Sequence, residues 1–237
     1  NPLLTVIDIE QVCSVVHELG GLTVVDNTFA SPILQQPLAL GADVVVHSTT
    51  KFINGHGTVI GGAVVSADAE YMENGPGKKL RFMGGAAPSA FDCWLTNIGL
   101  KTLPLRMRQH CINARVVAEF LDDHAKVEQT YWPGLPSHPK HDVAARQMSD
   151  FGAMISIDLG SYAAAGRFMS GLSLCSLAVS LGNVDTLVQH PASMTHRMLS
   201  DEGRAASGIT PGLVRLSVGI EDADDIVADL RNALTNI

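Results

Sequence analysis

Residues 44–57, VVVHSTTKFINGHG, decide how this chain folds. From Ala42 to Val46 nearly every position is apolar, the run is short, and it is rich in valine. It ends in a cluster of polar side chains, Ser48, Thr49, Thr50 and Lys51. Continuous apolarity over so few residues predicts a strand buried on both faces, as in a parallel sheet covered by helices. Residues 22–32, LTVVDNTFASP, repeat the pattern: the run Leu22–Val25 ends on Asp26. A third run, Val59–Val65, is weakened by Gly61 and Gly62. Ahead of these runs, Asp8 to Gly20 reads as a helix. Asp8 is placed to cap it, Ile9, Val12, Cys13, Val16 and Leu19 share a face, and Gly20-Gly21 ends it. The alternation of helix and strand is that of an α/β fold. Ligands of such sheets sit beyond the carboxyl ends of the strands, which is where Asp26 and the Ser48–Lys51 segment fall.

Working outward, a long helix is predicted from Thr102 to His124, with Leu103, Met107, Cys111, Ala114, Ala118 and Leu121 in one apolar stripe and Pro104 in the tolerant first turn. Beyond it the expected order is strand 126–131, helix 138–148, strand 153–159, helix 162–170, strand 213–218 and helix 222–236. A domain boundary near Leu100 therefore separates residues 1–100, part of an α/β sheet domain, from residues 101–237, a smaller α+β domain.

The composition, with 46% hydrophobic and 17% charged residues, is that of a soluble globular enzyme. The net charge of −8 argues against a nucleic-acid or anionic-membrane partner. No apolar stretch approaches a membrane span and no signal-peptide pattern occurs. Cys13, Cys93, Cys111 and Cys175 stand singly in apolar surroundings, which predicts reduced, buried thiols and a cytoplasmic location. His56, His190 and His196 lack metal-ligand spacing and read as structural, so no metal is expected.

A lone lysine after a strand is ordinarily solvated, and Asp-Asn is a common turn opening. Lys51, however, follows a strand read as fully buried, where loss of water disfavours the ammonium and frees a nucleophilic amine. A carboxylate buried at the neighbouring strand end, as Asp26 is expected to be, needs a cationic partner, and a protonated pyridine nitrogen is one. A Schiff-base lysine with an aspartate opposite a ring nitrogen is the pyridoxal 5′-phosphate arrangement, with Ser48 and Thr50 suited to the phosphate. On residue chemistry alone, the turn aspartate and solvated lysine remain alternatives.

Seven segments in order, among them VVDNTFASP (24–32), VVHSTTKFINGHG (45–57), GLKTLPLRMRQH (99–110), SLGNVDTLVQHPASMTH (180–196) and GLVRLSVGIEDADDIVADL (212–230), resemble the cystathionine/methionine gamma-lyase family. YWPGLPSHPKH (131–141) and RQMSDFGAMIS (146–156) complete the set. The resemblance covers the whole chain, which corresponds to the later three-fifths of a family member. It implies a fold type I pyridoxal-phosphate transferase-like architecture, with Lys51 bonding the cofactor and Asp26 pairing with its ring nitrogen. Ser48 and Thr50 then contact the phosphate, Arg215 holds the substrate α-carboxylate with help from Ser180, and Asn1 lies near the substrate carboxylate. In LVRLSVG, Val214, Leu216 and Val218 share one strand face while Arg215 and Ser217 share the other. The family's phosphate loop, ring-stacking tyrosine and a tyrosine–arginine pair from a neighbouring subunit precede the Asn-Pro motif and lie outside these residues. The resemblance therefore implies a homo-oligomer, a tetramer built from dimers with shared sites. Family members carry arginine where this chain has Ile98, and nothing explains that change.

Relatives acting on cystathionine place glutamate before SLG, suited to a distal ammonium, whereas this chain has Val179. An apolar side chain leaves that charge unpaired, so the expected reaction is γ-elimination from L-methionine to methanethiol, 2-oxobutanoate and ammonia. Cystathionine gamma-lyase, cystathionine gamma-synthase and O-acetylhomoserine sulfhydrylase are the enzymatic alternatives. A catalytically silent assembly subunit is the non-enzymatic one.

Overall fold

The computed structural model describes residues 2–237, so the expectation for Asn1 lies outside the described residues. Helix α1 (Ile9–Glu18) starts where the sequence places it, with the Asp8 carboxylate accepting from the Gln11 N–H at 3.2 Å. Strands β1 (Val24–Asp26) and β2 (Val44–Ser48) are parallel, with Asp26 beside Val46. The short helix α2 (Ser31–Leu34) and a 3₁₀ turn at Pro37–Leu40 connect them. Strand β3 (Gly62–Ser66) begins later than expected and joins β2 antiparallel, so this sheet is mixed.

Burial departs from the expectation of strands covered on both faces. Val44 and Val45 of β2 are buried, but Val24, Val64 and Val65 are exposed. Val25, Val45, Ile9, Cys13 and Ala42 pack together, so α1 covers one face, while Val12 and Leu19 of its predicted stripe remain exposed. Helices α3 (Ala69–Glu73) and α4 (Pro76–Met83) follow.

Helix α5 (Ala90–Asp122) begins well before Thr102. The Ser89 hydroxyl accepts from the Asp92 N–H at 3.1 Å and donates back to its carboxylate at 2.9 Å, a cap that the sequence reading overlooked. Leu100 therefore lies inside a continuous helix, and Pro104 sits in the helix interior rather than the first turn. The predicted stripe is correct: Leu103, Met107, Cys111, Ala114, Ala118 and Leu121 are all buried. Cys93 corrects the thiol expectation, because it lies in the uncovered first turns of α5 and is exposed, unlike Cys13, Cys111 and Cys175.

The remainder builds a second sheet. Strand β4 (Gln129–Tyr131), helix α6 (His141–Gln147), strand β5 (Met154–Asp158) and helix α7 (Tyr162–Ser170) precede two short strands, β6 (Ser176–Leu177) and β7 (Leu187–Gln189). Helix α8 (Asp201–Ala206), strand β8 (Leu213–Ser217) and helix α9 (Ala223–Thr235) complete it, in the strand order β4-β5-β8-β7-β6. Ile155, Ile157, Val214 and Leu216 face α5, α7 and α9 through Val117, Phe168 and Leu230 in one core. Each such side chain contributes about 1.5–3 kcal/mol on burial. No helix among the described residues is long and apolar enough to cross a membrane.

His110 of α5 is fully buried, with its Nδ1–H donating to the Val218 carbonyl at 2.7 Å and its Nε2 without a partner. Burial, reinforced by the nearby Arg106 cation, pushes its pKa from 6.5 down to about 4. The native state thus holds neutral His110, whereas the unfolded chain takes up a proton near pH 6.5. The stability from this neutral histidine is complete above pH 6.5 and declines as pH falls toward 4. His110→Gln is expected to flatten the pH dependence by up to about 1.4 kcal/mol per pH unit in that window, measured by urea unfolding.

Candidate active site

The site is assembled where β1 and β2 end. After Ser48 the chain makes one wide π-helical turn, Thr49–Ile53, in which Lys51 alone departs from helical geometry, with φ −90° and ψ −134°. Its amine donates to the Ser180 hydroxyl at 3.1 Å, joining the first sheet to the segment between β6 and β7. Burial, and after it the Arg215 guanidinium, lower the Lys51 pKa below the usual lysine value. Both effects favour the neutral, nucleophilic amine.

Asp26 is placed beside this turn but is exposed, which corrects the expectation of a buried carboxylate. Its Oδ1 accepts from the Thr28 N–H at 3.0 Å, so it also serves as a turn residue. The Thr28 hydroxyl in turn accepts from the Ser48 N–H at 2.8 Å, tying the two strand ends together. Thr50 is already engaged: its hydroxyl donates to the Gly61 carbonyl at 3.3 Å and accepts from the Gly61 N–H at 3.0 Å. Donating to a phosphate would require it to exchange the first of these bonds. His47, on the strand between them, is buried with Nδ1 unpartnered, and burial lowers its pKa against the opposing pull of Asp26.

Strand alternation alone leaves an exposed Arg215 open, but Arg215 is not exposed. It is only 7% exposed at the centre of β8. Among the described residues it has no carboxylate partner. Gln189, directly opposite on β7, holds it instead. With its amide carbonyl turned toward the guanidinium, Gln189 accepts from Nη2 at 2.7 Å and Nε at 2.9 Å. The guanidinium carbon stands 5.9 Å from the Phe29 ring centre. Burial pushes the pKa of Arg215 down to about 10. A desolvated guanidinium with neutral partners is a receptor for an anion, and its fork suits a carboxylate. Gln189 lies within residues 180–196 with no local signal of this role; only strand pairing reveals it.

A cavity of about 810 Å³ is walled by Asp26, Phe29, Ser48, Lys51, Met148 and Met154, among others. Ser180 meets it through the Lys51 amine. Val179, adjacent in sequence, is 57% exposed and stands outside those walls. The three histidines set aside in the sequence have local partners: His56 contacts the Asn54 carbonyl, His190 bridges Ser193 and Pro211, and His196 contacts Thr195. No metal-ligand cluster occurs among the described residues.

Comparison with known proteins extends this geometry. A profile of Cys/Met metabolism PLP-dependent enzymes matches residues 1–235. The chain is 50% identical over 239 aligned positions to L-methionine gamma-lyase of Fusobacterium nucleatum subsp. polymorphum, covering 100% of this chain and 60% of that enzyme. It is 47% identical to cystathionine gamma-lyase of Dictyostelium discoideum, covering 99% of this chain and 60% of that one. Cystathionine gamma-synthase of Xanthomonas oryzae pv. oryzae, solved with aminoacrylate and cysteine, superposes with a TM-score of 0.94 at 52% identity. That superposition covers 100% of this chain and 61% of the synthase. The chain thus spans about 60% of the length of the curated relatives it matches.

Proposed function

This chain belongs to the Cys/Met metabolism PLP-dependent enzymes, and from that membership we propose that it forms the cofactor-lysine and carboxylate-binding part of a carbon–sulfur lyase acting on L-methionine. The observation that carries this reading is a half-buried Lys51 amine, bonded to Ser180 and under the influence of a buried Arg215 that has no carboxylate partner among the described residues. The products are methanethiol, 2-oxobutanoate and ammonia, with one water consumed.

The residues fit pyridoxal 5′-phosphate. The cavity's 810 Å³ lies within the usual range for a small-molecule site, and Lys51 and Asp26 both open onto it. When bound, the cofactor supplies an aldehyde carbon for an amine and a ring that accepts electrons from Cα. Lys51 would hold its aldehyde carbon, Asp26 would face its ring nitrogen, and Ser48 and Thr50 would serve its phosphate. Arg215 binds the substrate carboxylate through its fork, with Gln189 fixing the plane of the guanidinium. With the substrate amine in place, Lys51 would be the base at substrate Cα and would carry protons between Cα and Cβ. The Ser180 hydroxyl accepts from the Lys51 amine and so steers it. Residues 1–100 and 101–237 act as sheet domain and smaller domain, coupled by α5. A cytoplasmic homo-oligomer, a tetramer built from dimers, completes the proposal, and the exposed apolar residues of β1, β3 and α5 support covering of these faces in the whole protein.

Methionine is preferred over cystathionine in this reading because of Val179, which adjoins Ser180 outside the cavity walls and whose side chain offers a distal ammonium no partner. Asn1 is assigned to the substrate carboxylate by resemblance alone. Val179→Glu in the full-length enzyme is expected to shift the ratio of kcat/KM for L-cystathionine over L-methionine upward by about tenfold to a few hundredfold. Release of 2-oxo acid measures both. A parent enzyme that already prefers cystathionine replaces methionine with cystathionine as the substrate, in line with the relatives that act on it.

A further inference from the structure

Arg106 lies on α5, remote in sequence from both halves of the site, and is only 5% exposed. Its Nη1 donates to the Phe52 carbonyl at 2.7 Å and its Nη2 to the Ile53 carbonyl at 3.1 Å, the two residues that follow Lys51. Nη2 also reaches the Gly99 carbonyl at 2.8 Å, and Nε reaches the Thr102 hydroxyl at 3.1 Å. Among the described residues no carboxylate pairs with it. A buried cation satisfied only by neutral oxygens is costly, and fixing backbone geometry at an active turn is a reason to retain one. Gly55 supports this, since its φ is +72° and a Cβ there would collide with the guanidinium.

The same face of α5 continues one and two turns on. His110 presents its ring edge-to-face to Phe52 at 5.3 Å and donates to the Val218 carbonyl at 2.7 Å. The Asn113 amide donates to the Gly219 carbonyl at 3.1 Å and the Glu221 carbonyl at 2.7 Å. Val218 and Gly219 directly follow β8, the strand that carries Arg215. One helix face therefore grips the turn after Lys51 at one end and the exit of the Arg215 strand at the other.

We propose that Arg106, acting with His110 and Asn113, is a positioning strut that sets the Lys51 amine at its working distance from the Arg215 strand. The inference rests on the function proposed above, since it gives Lys51 and Arg215 their partners. Arg106 touches neither substrate nor cofactor; it acts through the backbone carbonyls of Phe52 and Ile53. The fork matters because its separate N–H groups reach separate oxygens.

The test uses the full-length holoenzyme with Arg106→Gln, Arg106→Lys and, as a control of equal burial away from the site, Leu230→Ala in α9. Borohydride reduction and peptide mapping read cofactor attachment at Lys51. Arg106→Gln is expected to lower kcat by about 10- to 100-fold with KM within about threefold, and to displace the pH at which the visible absorption of Lys51-bound cofactor changes. Leu230→Ala should lower Tm while leaving that pH and kcat unchanged. Arg106→Lys, which keeps the charge without the fork, should show a smaller loss of the same kind and decides the matter if the glutamine variant does not fold. Arginine variants that lose only Tm, with wild-type kcat and absorption pH, overturn the strut while leaving the proposed function standing. A wild-type enzyme without cofactor at Lys51 overturns both.

Discussion

Lys51→Ala in the full-length enzyme is expected to lower turnover by about 10²- to 10⁴-fold, the range associated with loss of a positioned proton-transfer group. Two proposed roles end together: the covalent hold on the cofactor, and the base at substrate Cα. The variant should still bind pyridoxal 5′-phosphate without a bond, because Asp26 and Ser48 remain on the cavity wall. Borohydride treatment of the parent should leave a pyridoxyl adduct on the peptide containing Lys51, and the variant should carry none. An adduct on another lysine of the active parent rejects the assignment. The fold should tolerate the change, since a half-buried, partly desolvated amine favours catalysis at the expense of native-state stability. Lys51 has its pKa lowered in the native state, so the unfolded chain binds more protons only between that lowered value and about pH 10.5, and at pH values below this window the charged amine weakens folding. Alanine removes that term, and Tm should not fall.

Arg215→Leu should produce the second largest loss, about 30- to 1,000-fold in kcat/KM, corresponding to about 2–4 kcal/mol for a desolvated charge pair that loses one partner. The loss should vanish when the parent and variant are compared on an amino-acid amide, which has no carboxylate for the fork to hold. Arg215 also lowers the pKa of Lys51, second to burial. Removing the guanidinium should therefore raise the pH at which the Lys51 amine loses its proton, and the pH–rate profile should move upward with it. A variant with unchanged kcat/KM for methionine would return Arg215 to a structural role on β8.

Much of this was legible in the sequence because it is local. The cap at Asp8, the apolar run leading to Lys51 and the stripe from Leu103 to Leu121 are each written within a few helical turns or one strand, and the structure reproduces them. The start of α5 was missed because the Ser89 cap precedes a stretch whose apolar residues, Phe91 and Trp94, stay exposed and give no stripe. Strands β6 and β7 were missed because two or three residues carry no periodicity.

Sequence by itself determined which residues could do the chemistry: an amine after a valine-rich strand, a carboxylate at the end of its neighbour, and an arginine alternating with apolar residues. It also determined the α/β order of the elements, since side-chain periodicity follows directly from backbone geometry. Tertiary structure alone decided which of them meet. The Lys51 amine finds Ser180 at 3.1 Å across 129 positions of chain, Gln189 lies opposite Arg215, and Arg106 closes on the turn after Lys51. Those contacts depend on how strands are ordered in a sheet and on which helix face covers them. Such choices minimise the exposed apolar area and unpaired polar groups of the whole fold, and no local pattern encodes them.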